Sequence, residues 1–469
     1  MTGLGTLKTD NTGNSSAEAL SSDGKVVAGD ASTDVGRDQA FIWHDGDTKL
    51  TGLGTLNRDN TGRSWTKAIS ADGKVVVGQA EFGSYPQAFV WHDGDTEMTG
   101  LGTLKDNPHQ GYSSAEAVSP NGSIVAGRAE IENGDMHAVI WKVKYPEPPV
   151  NPEPPTVKPE IIIVDKDNSH LAMMDTANRG FKVIDLYQSA LNSLANARCQ
   201  MGESNYCIGA FSQLDSVQDN SRIATGLFGS FKLPANNWTL GAAINFANQT
   251  RLIDNYDTRG SSKPGFGVFT RYQDNADGSG LNIDISAAYI QQDIAITRDK
   301  LSHTEAGKGE SAVKGYQVGV SAMYAVNVNE STQFLPLAAI THHSVTRDGY
   351  SETRNAEFPA IYGEMGNERT ELQLGINGRH QVNSSIQLDG GMGTKITLNE
   401  KRDAFTGHIN YVGAYAYDKG ETALARPYVH AGVNFAPTKN STLRMSVGFE
   451  KPDYTNDAAT VGLSYSYNW

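Results

Sequence analysis

The sequence predicts an all-β chain with one central helix: an N-terminal β-repeat region, propeller-blade-like or solenoidal, then a 12-stranded antiparallel transmembrane β-barrel with an α-helix in its lumen. Three observations predict it. A unit of about 48 residues recurs three times before residue 145. A single later stretch carries helical periodicity, and from residue 206 onward twelve segments alternate apolar and polar residues between connections of alternating length. The expected division is 1–145 repeats, 146–165 Pro-rich linker, 166–200 lumenal helix and 201–469 barrel.

Composition narrows the classes. At 469 residues two or three domains are expected. No apolar run approaches the ~18 residues of a membrane helix, which excludes a helical membrane protein. Low mean hydropathy does not exclude a barrel, whose strands show only alternate residues to lipid. The net charge is −14, and residues 1–145 carry 12 basic against 19 acidic side chains, which argues against a nucleic-acid partner. Cys199 and Cys207 enclose seven residues, a separation that allows a local disulfide in an oxidising compartment; two free buried thiols are the alternative. Met1 is followed by Thr-Gly-Leu-Gly-Thr-Leu, without a basic or apolar leader, so for an exported protein the signal peptide is expected outside this chain.

Taken in order, Gly-Leu-Gly-Thr-Leu stands at Gly3–Leu7, Gly52–Leu56 and Gly100–Leu104. Each copy continues through a turn pair, Asp23-Gly24, Asp72-Gly73 or Asn121-Gly122, into a β-branched run, and the pairs predict type I′ hairpin turns. A further strand carries the anchors Ala40-Phe41-Ile42-Trp43, Ala88-Phe89-Val90-Trp91 and Ala138-Val139-Ile140-Trp141. Each unit is three or four short strands, and because three blades cannot close a ring, further copies upstream are expected. The units resemble the HAF extracellular repeats, named for a His-Ala-Phe triplet that here reads Gln39-Ala40-Phe41, Gln87-Ala88-Phe89 and His137-Ala138-Val139. That resemblance implies a secreted β-rich module without transferable catalytic residues. Trp-His-Asp-Gly-Asp at Trp43–Asp47 and Trp91–Asp95 offers metal-ligand chemistry, but the Asp-Gly turn explains the spacing without an ion.

Seven of the 17 prolines lie between Pro146 and Pro159, an extended spacer of roughly 40 Å at ~3.1 Å per residue. Beyond the Ile161–Val164 run, Met173, Ala177, Phe181, Ile184, Tyr187, Leu191 and Leu194 form one helical stripe, opposite Asp175, Asn178, Lys182, Asp185, Asn192 and Asn196. The stripe suits either a soluble core or a barrel lumen.

The strands are expected near 206–214, 221–233, 238–248, 264–273, 280–291, 312–326, 332–344, 367–381, 385–397, 423–436, 441–450 and 459–469. Leu240, Ala242, Ile244 and Phe246 alternate with Thr239, Gly241, Ala243 and Asn245; Leu443, Met445, Val447 and Phe449 alternate with Arg444, Ser446 and Glu450. Charges on the second face fit a hydrated lumen better than a sandwich core. Short connections alternate with others, and the long ones (249–263, 292–311, 344–366, 398–422) all fall at one end. The last connection, Lys451–Ala458, is short where the pattern asks for a long one. In the final strand Val461, Leu463, Tyr465, Tyr467 and Trp469 alternate with Gly462, Ser464, Ser466 and Asn468, so an aromatic face meets lipid and the strand pairs with 206–214.

A β-rich passenger, a spacer, an amphipathic helix and a 12-stranded barrel ending on an aromatic together resemble a type V autotransporter over essentially the whole chain. The resemblance implies a monomer in Gram-negative outer-membrane lipid, delivered by periplasmic chaperones and inserted by the barrel assembly machinery, which reads the last strand, here Leu463, Tyr465, Tyr467 and Trp469. It also implies a helix through the pore and a passenger exposed at the cell surface, where it meets an unknown extracellular ligand. Some members cut themselves at an Asn-Asn pair in the helix. Here Asn192 and Asn196 are not adjacent, and Asn236-Asn237 falls in a turn, so the passenger is expected to stay attached.

No Gly-x-Ser-x-Gly, His-Glu-x-x-His, phosphate loop or Cys-x-x-Cys is found, so neither catalysis nor a cofactor or metal is expected. Ser279, in Asp277-Gly278-Ser279-Gly280, is placed in a turn; His342 and His343 point to opposite faces; Arg426 and His430 are placed in the lumen. Two alternatives stay open: an outer-membrane channel with a soluble β domain, and a secreted soluble enzyme or lectin.

Overall fold

A computed structural model describes residues 3–145, 159–199, 201, 204–234, 237–275, 278–419 and 423–469. The proline-rich stretch 146–158, Asn236 and Asp277 lie outside the described residues. Two units are distinguished, Met1–Ala172 with Lys300–Glu305, and Met173–Asp299 with Ala306–Trp469.

The first unit holds three four-stranded antiparallel sheets, each a meander. The first is β1 (Ser15–Leu20), β2 (Val26–Ser32), β3 (Asp38–His44) and β4 (Thr51–Gly54); the second is β5 (Ser64–Ile69), β6 (Val75–Phe82), β7 (Tyr85–His92) and β8 (Thr99–Gly100). The third is β9 (Ser113–Val118), β10 (Ile124–Glu130), β11 (Met136–Lys144) and β12 (Glu160–Asp165). The sheets pack face to face. Val26, Ala28, Ala40 and Ile42 meet Val76, Phe89 and Trp91 of the second sheet. Val75, Val77, Ala88 and Val90 in turn meet Val125, Val139 and Trp141 of the third.

The strand assignment and the turn type differ from the sequence reading, each for a physical reason. The first two sheets take their fourth strand from the following Gly-Leu-Gly-Thr-Leu copy and the third sheet takes β12, so residues 160–165 belong to this unit and not to a spacer. The Asp-Gly turns are not type I′: Gly24, Gly73 and Gly122 have positive φ, whereas Asp23, Asp72 and Asn121 do not. Gly24 N–H donates to the Ser21 carbonyl and Ser21 Oγ accepts from Val26 N–H, which makes a type I turn followed by a left-handed glycine. The Trp-His-Asp-Gly-Asp motif is also a turn, with Trp43 Nε1 donating to the Asp47 carbonyl at 3.0 Å and His44 N–H to Asp47 Oδ2 at 2.9 Å.

Polar contacts fix the stacking. Ser64 Oγ accepts from Ala40 N–H (2.8 Å) and donates to the Gly54 carbonyl (2.6 Å). Asp30 Oδ1 accepts from Thr66 N–H at 2.7 Å. Burial of Asp30 outweighs that bond and pushes its carboxyl up to about 6. A carboxyl raised in the folded state stabilises fully below its unfolded value near 3.8, and that contribution is lost as pH rises to about 6. Asp30→Asn is therefore expected to flatten the pH dependence of repeat unfolding between pH 4 and 6 and to raise the midpoint at neutral pH by roughly 2–4 °C. Near-UV circular dichroism of the repeat tryptophans measures this, and an unchanged pH profile counts against it.

Helix α1 (Lys166–Ala195) follows β12 directly. Asp165 caps it, Oδ1 accepting from Asp167 N–H (2.8 Å) and Asn168 N–H (3.1 Å), while Oδ2 meets His137 Nδ1 at 2.8 Å. Both oxygens are thus occupied, which explains the His137, Asp165, Asp167 cluster without an ion.

The second unit is a closed antiparallel barrel. In chain order the strands are β13 (Tyr206–Val217), β14 (Asn220–Lys232), β15 (Trp238–Arg251), β16 (Tyr256–Arg259), β17 (Gly265–Gln273), β18 (Gly280–Thr297), β19 (Lys308–Asn329) and β20 (Thr332–Arg347). They continue with β21 (Tyr350–Arg354), β22 (Ala360–Tyr362), β23 (Met365–Asn383), β24 (Ile386–Asp403), β25 (Phe405–Ile409), β26 (Gly413–Tyr417), β27 (Ala425–Thr438), β28 (Ser441–Glu450) and β29 (Ala458–Asn468). Five of these, β16, β21, β22, β25 and β26, are short strands of the long connections; the other twelve are the wall. Long wall strands continue past the expected ends, β18 to Thr297 and β19 from Lys308.

Candidate functional site: barrel lumen and closing strand

The outer face of the wall is a band of exposed apolar side chains. It includes Leu227, Phe246, Phe266, Val268, Ile285, Tyr289, Tyr316, Val318, Val320 and Tyr324. Between Tyr316 and Tyr324, eight residues at ~3.3 Å each span roughly 26 Å along a tilted strand, the scale of a hydrocarbon layer. No helix of the described residues is long and apolar enough to cross a membrane. The crossing belongs to the strands.

The closing strand obeys the same rule. Leu463, Tyr465, Tyr467 and Trp469 are 47, 49, 45 and 54% exposed. β29 pairs with β13 in the register Leu463↔Ser212, Tyr465↔Ala210 and Tyr467↔Ile208. Trp469 and Tyr206 exchange two backbone hydrogen bonds of 3.0 Å and stack their rings 5.8 Å apart, which seals the ring at the short-turn end. Cys199 and Cys207 are joined by a disulfide, Cα–Cα 6.3 Å, that ties the segment after the helix to the start of β13.

Inward lies α1. Met173, Ala177, Phe181, Ile184, Tyr187, Leu191 and Leu194 are all buried, and so are Val183, Leu186 and Ala190 on other sides, so the wall surrounds the helix. The stripe seats on glycines of the wall. A Cβ at Gly315 would stand 2.7 Å from Leu191 Cδ1, and one at Gly265 3.0 Å from Leu194 Cδ2. These glycines let the backbone of β19 and β17 approach the helix closely. Phe181 packs on Tyr417 (6.5 Å) and Tyr454 (4.6 Å).

Much of the polar side of the helix is bonded to the wall. Tyr256 Oη donates to the Thr176 carbonyl (2.8 Å), Tyr417 Oη donates to Asn178 (3.1 Å), and Ser193 Oγ donates to Asp215 (2.5 Å). Arg179 pairs with Asp299 at 2.6 Å, and just beyond the end of the helix Arg198 pairs with Asp284 at 2.9 Å. Asn192 and Asn196 border a polar cavity of about 520 Å³ shared with Arg271, Asp389, His430 and Arg444. Wall charges are paired among themselves, Arg271 with Asp284 (2.6 and 3.1 Å), Arg444 with Asp389 and Lys395 with Glu450.

Of the remaining sequence candidates, Arg426 and His430 do line the lumen, His430 Nε2 lying 3.2 Å from Asn377 Oδ1. His343 is buried inward, while His342 faces outward beside Tyr316. Ser279 Oγ accepts from Asn275 in its turn. Sequence reasoning missed Tyr256, Tyr417 and Tyr454, which hold the helix, and the glycine seats. Inward glycines alternating with outward Val and Tyr, as at Gly315 and Gly319, were the available signal.

Residues 212–448, just over half of the chain, match the family model of the autotransporter β-domain. Among solved structures, the translocator domain of autotransporter NalP from Neisseria meningitidis is 11% identical with a TM-score of 0.48, over 62% of this chain and 98% of that one. The transport unit of the autotransporter AIDA-I from Escherichia coli is 14% identical with a TM-score of 0.41, over 62% and 99%. The β domain of the Bordetella autotransporter BrkA is 12% identical with a TM-score of 0.40, over 57% and 99%. No curated protein matches. On the family match, set on a closed barrel with a lipid-facing band, the chain belongs to the autotransporter β-domain family, whose barrel is embedded in the outer membrane.

Proposed function

We propose that this protein exports its N-terminal repeats through the barrel and displays them, still attached, at the cell surface. The observation that carries the reading is α1, whose apolar stripe from Met173 to Leu194 is buried in the lumen, with the last repeat strand directly before the helix. A closed ladder satisfies every backbone group in lipid, and the helix that remains behind fills the bore. The reading needs neither catalysis nor a cofactor. It includes insertion as a monomer by the barrel assembly machinery, with periplasmic chaperones delivering the chain and Leu463, Tyr465, Tyr467 and Trp469 as the recognised signal. HAF-type repeats would act in binding or adhesion toward an extracellular ligand.

Protease shaving of intact cells tests it. Loss of the repeats, with a protected fragment of the barrel that enters detergent, is expected. Repeats that resist protease until the outer membrane is opened would place them in the periplasm and overturn display.

A further inference from the structure

The connection between β28 and β29 is short because it turns inward. The Asp453 side chain is fully buried between Arg369 of β23 and Arg426 of β27, and it pairs with both. Asn367 Nδ2 donates to its other oxygen at 2.6 Å. The next residue reaches the helix: the Tyr454 ring lies 4.6 Å from that of Phe181, and Tyr454 N–H donates to Asp185 Oδ2 at 2.9 Å. Lys419 sits over both rings, 5.8 and 5.9 Å from their centres. One loop of seven residues thus joins two wall strands to the middle of α1.

We propose that loop 451–457 is a latch on the helix, with Asp453 as a tethered carboxylate ligand of the Arg369–Arg426 pair and Tyr454 as the grip on Phe181 and Asp185. The charge arrangement makes the latch reversible. Glu371 pairs with both arginines and Glu400 with Arg369, so withdrawal of Asp453 leaves two cations facing two wall carboxylates rather than a bare buried charge. A loop of this kind can release the helix without dismantling the wall, because the β28–β29 ladder ends at Glu450 and Ala458 and only Lys451, at the loop's start, bonds its backbone to a wall strand, at Pro427. The proposal rests on the closed-pore reading above.

Single-channel recording of the full chain in planar bilayers separates the two. The variants are Asp453→Asn, Tyr454→Ala and Asp453→Glu, with a barrel lacking residues 173–195 as the open reference and heat-modifiable electrophoretic mobility as the check on folding. Asp453→Asn and Tyr454→Ala are each expected to raise the open fraction at least tenfold over wild type, and Asp453→Glu to stay within threefold. Should Asp453→Asn fail to fold, Tyr454→Ala decides, since it leaves every ion pair in place. A closed wild type with equally closed variants overturns the latch alone. A wild type as open as the reference overturns the latch together with the closed pore.

Discussion

Deletion of residues 173–195 is expected to turn an electrically quiet barrel into a steadily open one, with at least a tenfold rise in current per molecule across a planar bilayer. A helix with its side chains is ~10–12 Å across, so its removal leaves a water-filled bore of about that width. Burial of the stripe also holds the wild-type helix in the lumen against thermal motion. Six large side chains of the stripe are buried, and at ~1.5–3 kcal/mol each their burial is worth on the order of 10 kcal/mol as an upper bound. The deletion does not attack the wall, because the twelve strands hydrogen-bond to each other and the wall arginines keep partners such as Glu371, Asp284 and Asp389. A wild-type protein that conducts as well as the deleted one would favour the porin-like alternative over the filled pore.

What was legible in the sequence follows what lipid demands of it. On β18, Ile283, Ile285, Ala287 and Tyr289 face outward, and the period-2 signal is clean there. Past Tyr289 the same face carries Gln291, Asp293 and Thr297, because water now lies outside. The apolar alternation stops while the backbone pairing continues, so the strand reads short. The helix stripe was legible for the same reason, as a local period. Its seats were not, because Gly265 and Gly315 announce no partner until Leu194 and Leu191 stand against them.

Non-local pairing explains the remaining differences. Ile161–Val164 has the composition of a strand, yet nothing local says that its partner is β11, across the proline-rich stretch. The Arg369, Arg426, Asp453 cluster joins residues up to 84 apart in sequence, and only the shortness of one connection hinted at it. The Asp-Gly turns show a subtler miss. The residue pair fits type I′, but Ser21 and Ser70 supply side-chain bonds that extend the turn and leave the aspartate at negative φ.

The second large effect concerns the facing of the closing strand. Leu463→Lys is expected to abolish most barrel assembly, and Ser464→Glu, one residue on, to be tolerated. Leu463 sits near the middle of the outward face of β29, beside Met445, and is half exposed to the solvent that surrounds the barrel. If that solvent is hydrocarbon, a lysine there costs about 2–4 kcal/mol, or between one and three orders of magnitude in the folded population. Ser464 points the other way, into the polar cavity and directly across the ladder from Arg444. A glutamate at 464 therefore gains a cationic neighbour and hydration, and its effect should stay within ~0.5 kcal/mol. Heat-modifiable mobility of both variants in outer-membrane fractions measures the difference. Because side chains alternate strictly along a strand, a register slip of one residue would exchange the two outcomes. An assembled Leu463→Lys protein beside a failed Ser464→Glu protein would therefore show that the aromatics face inward and that the lipid assignment of the whole outer face is wrong.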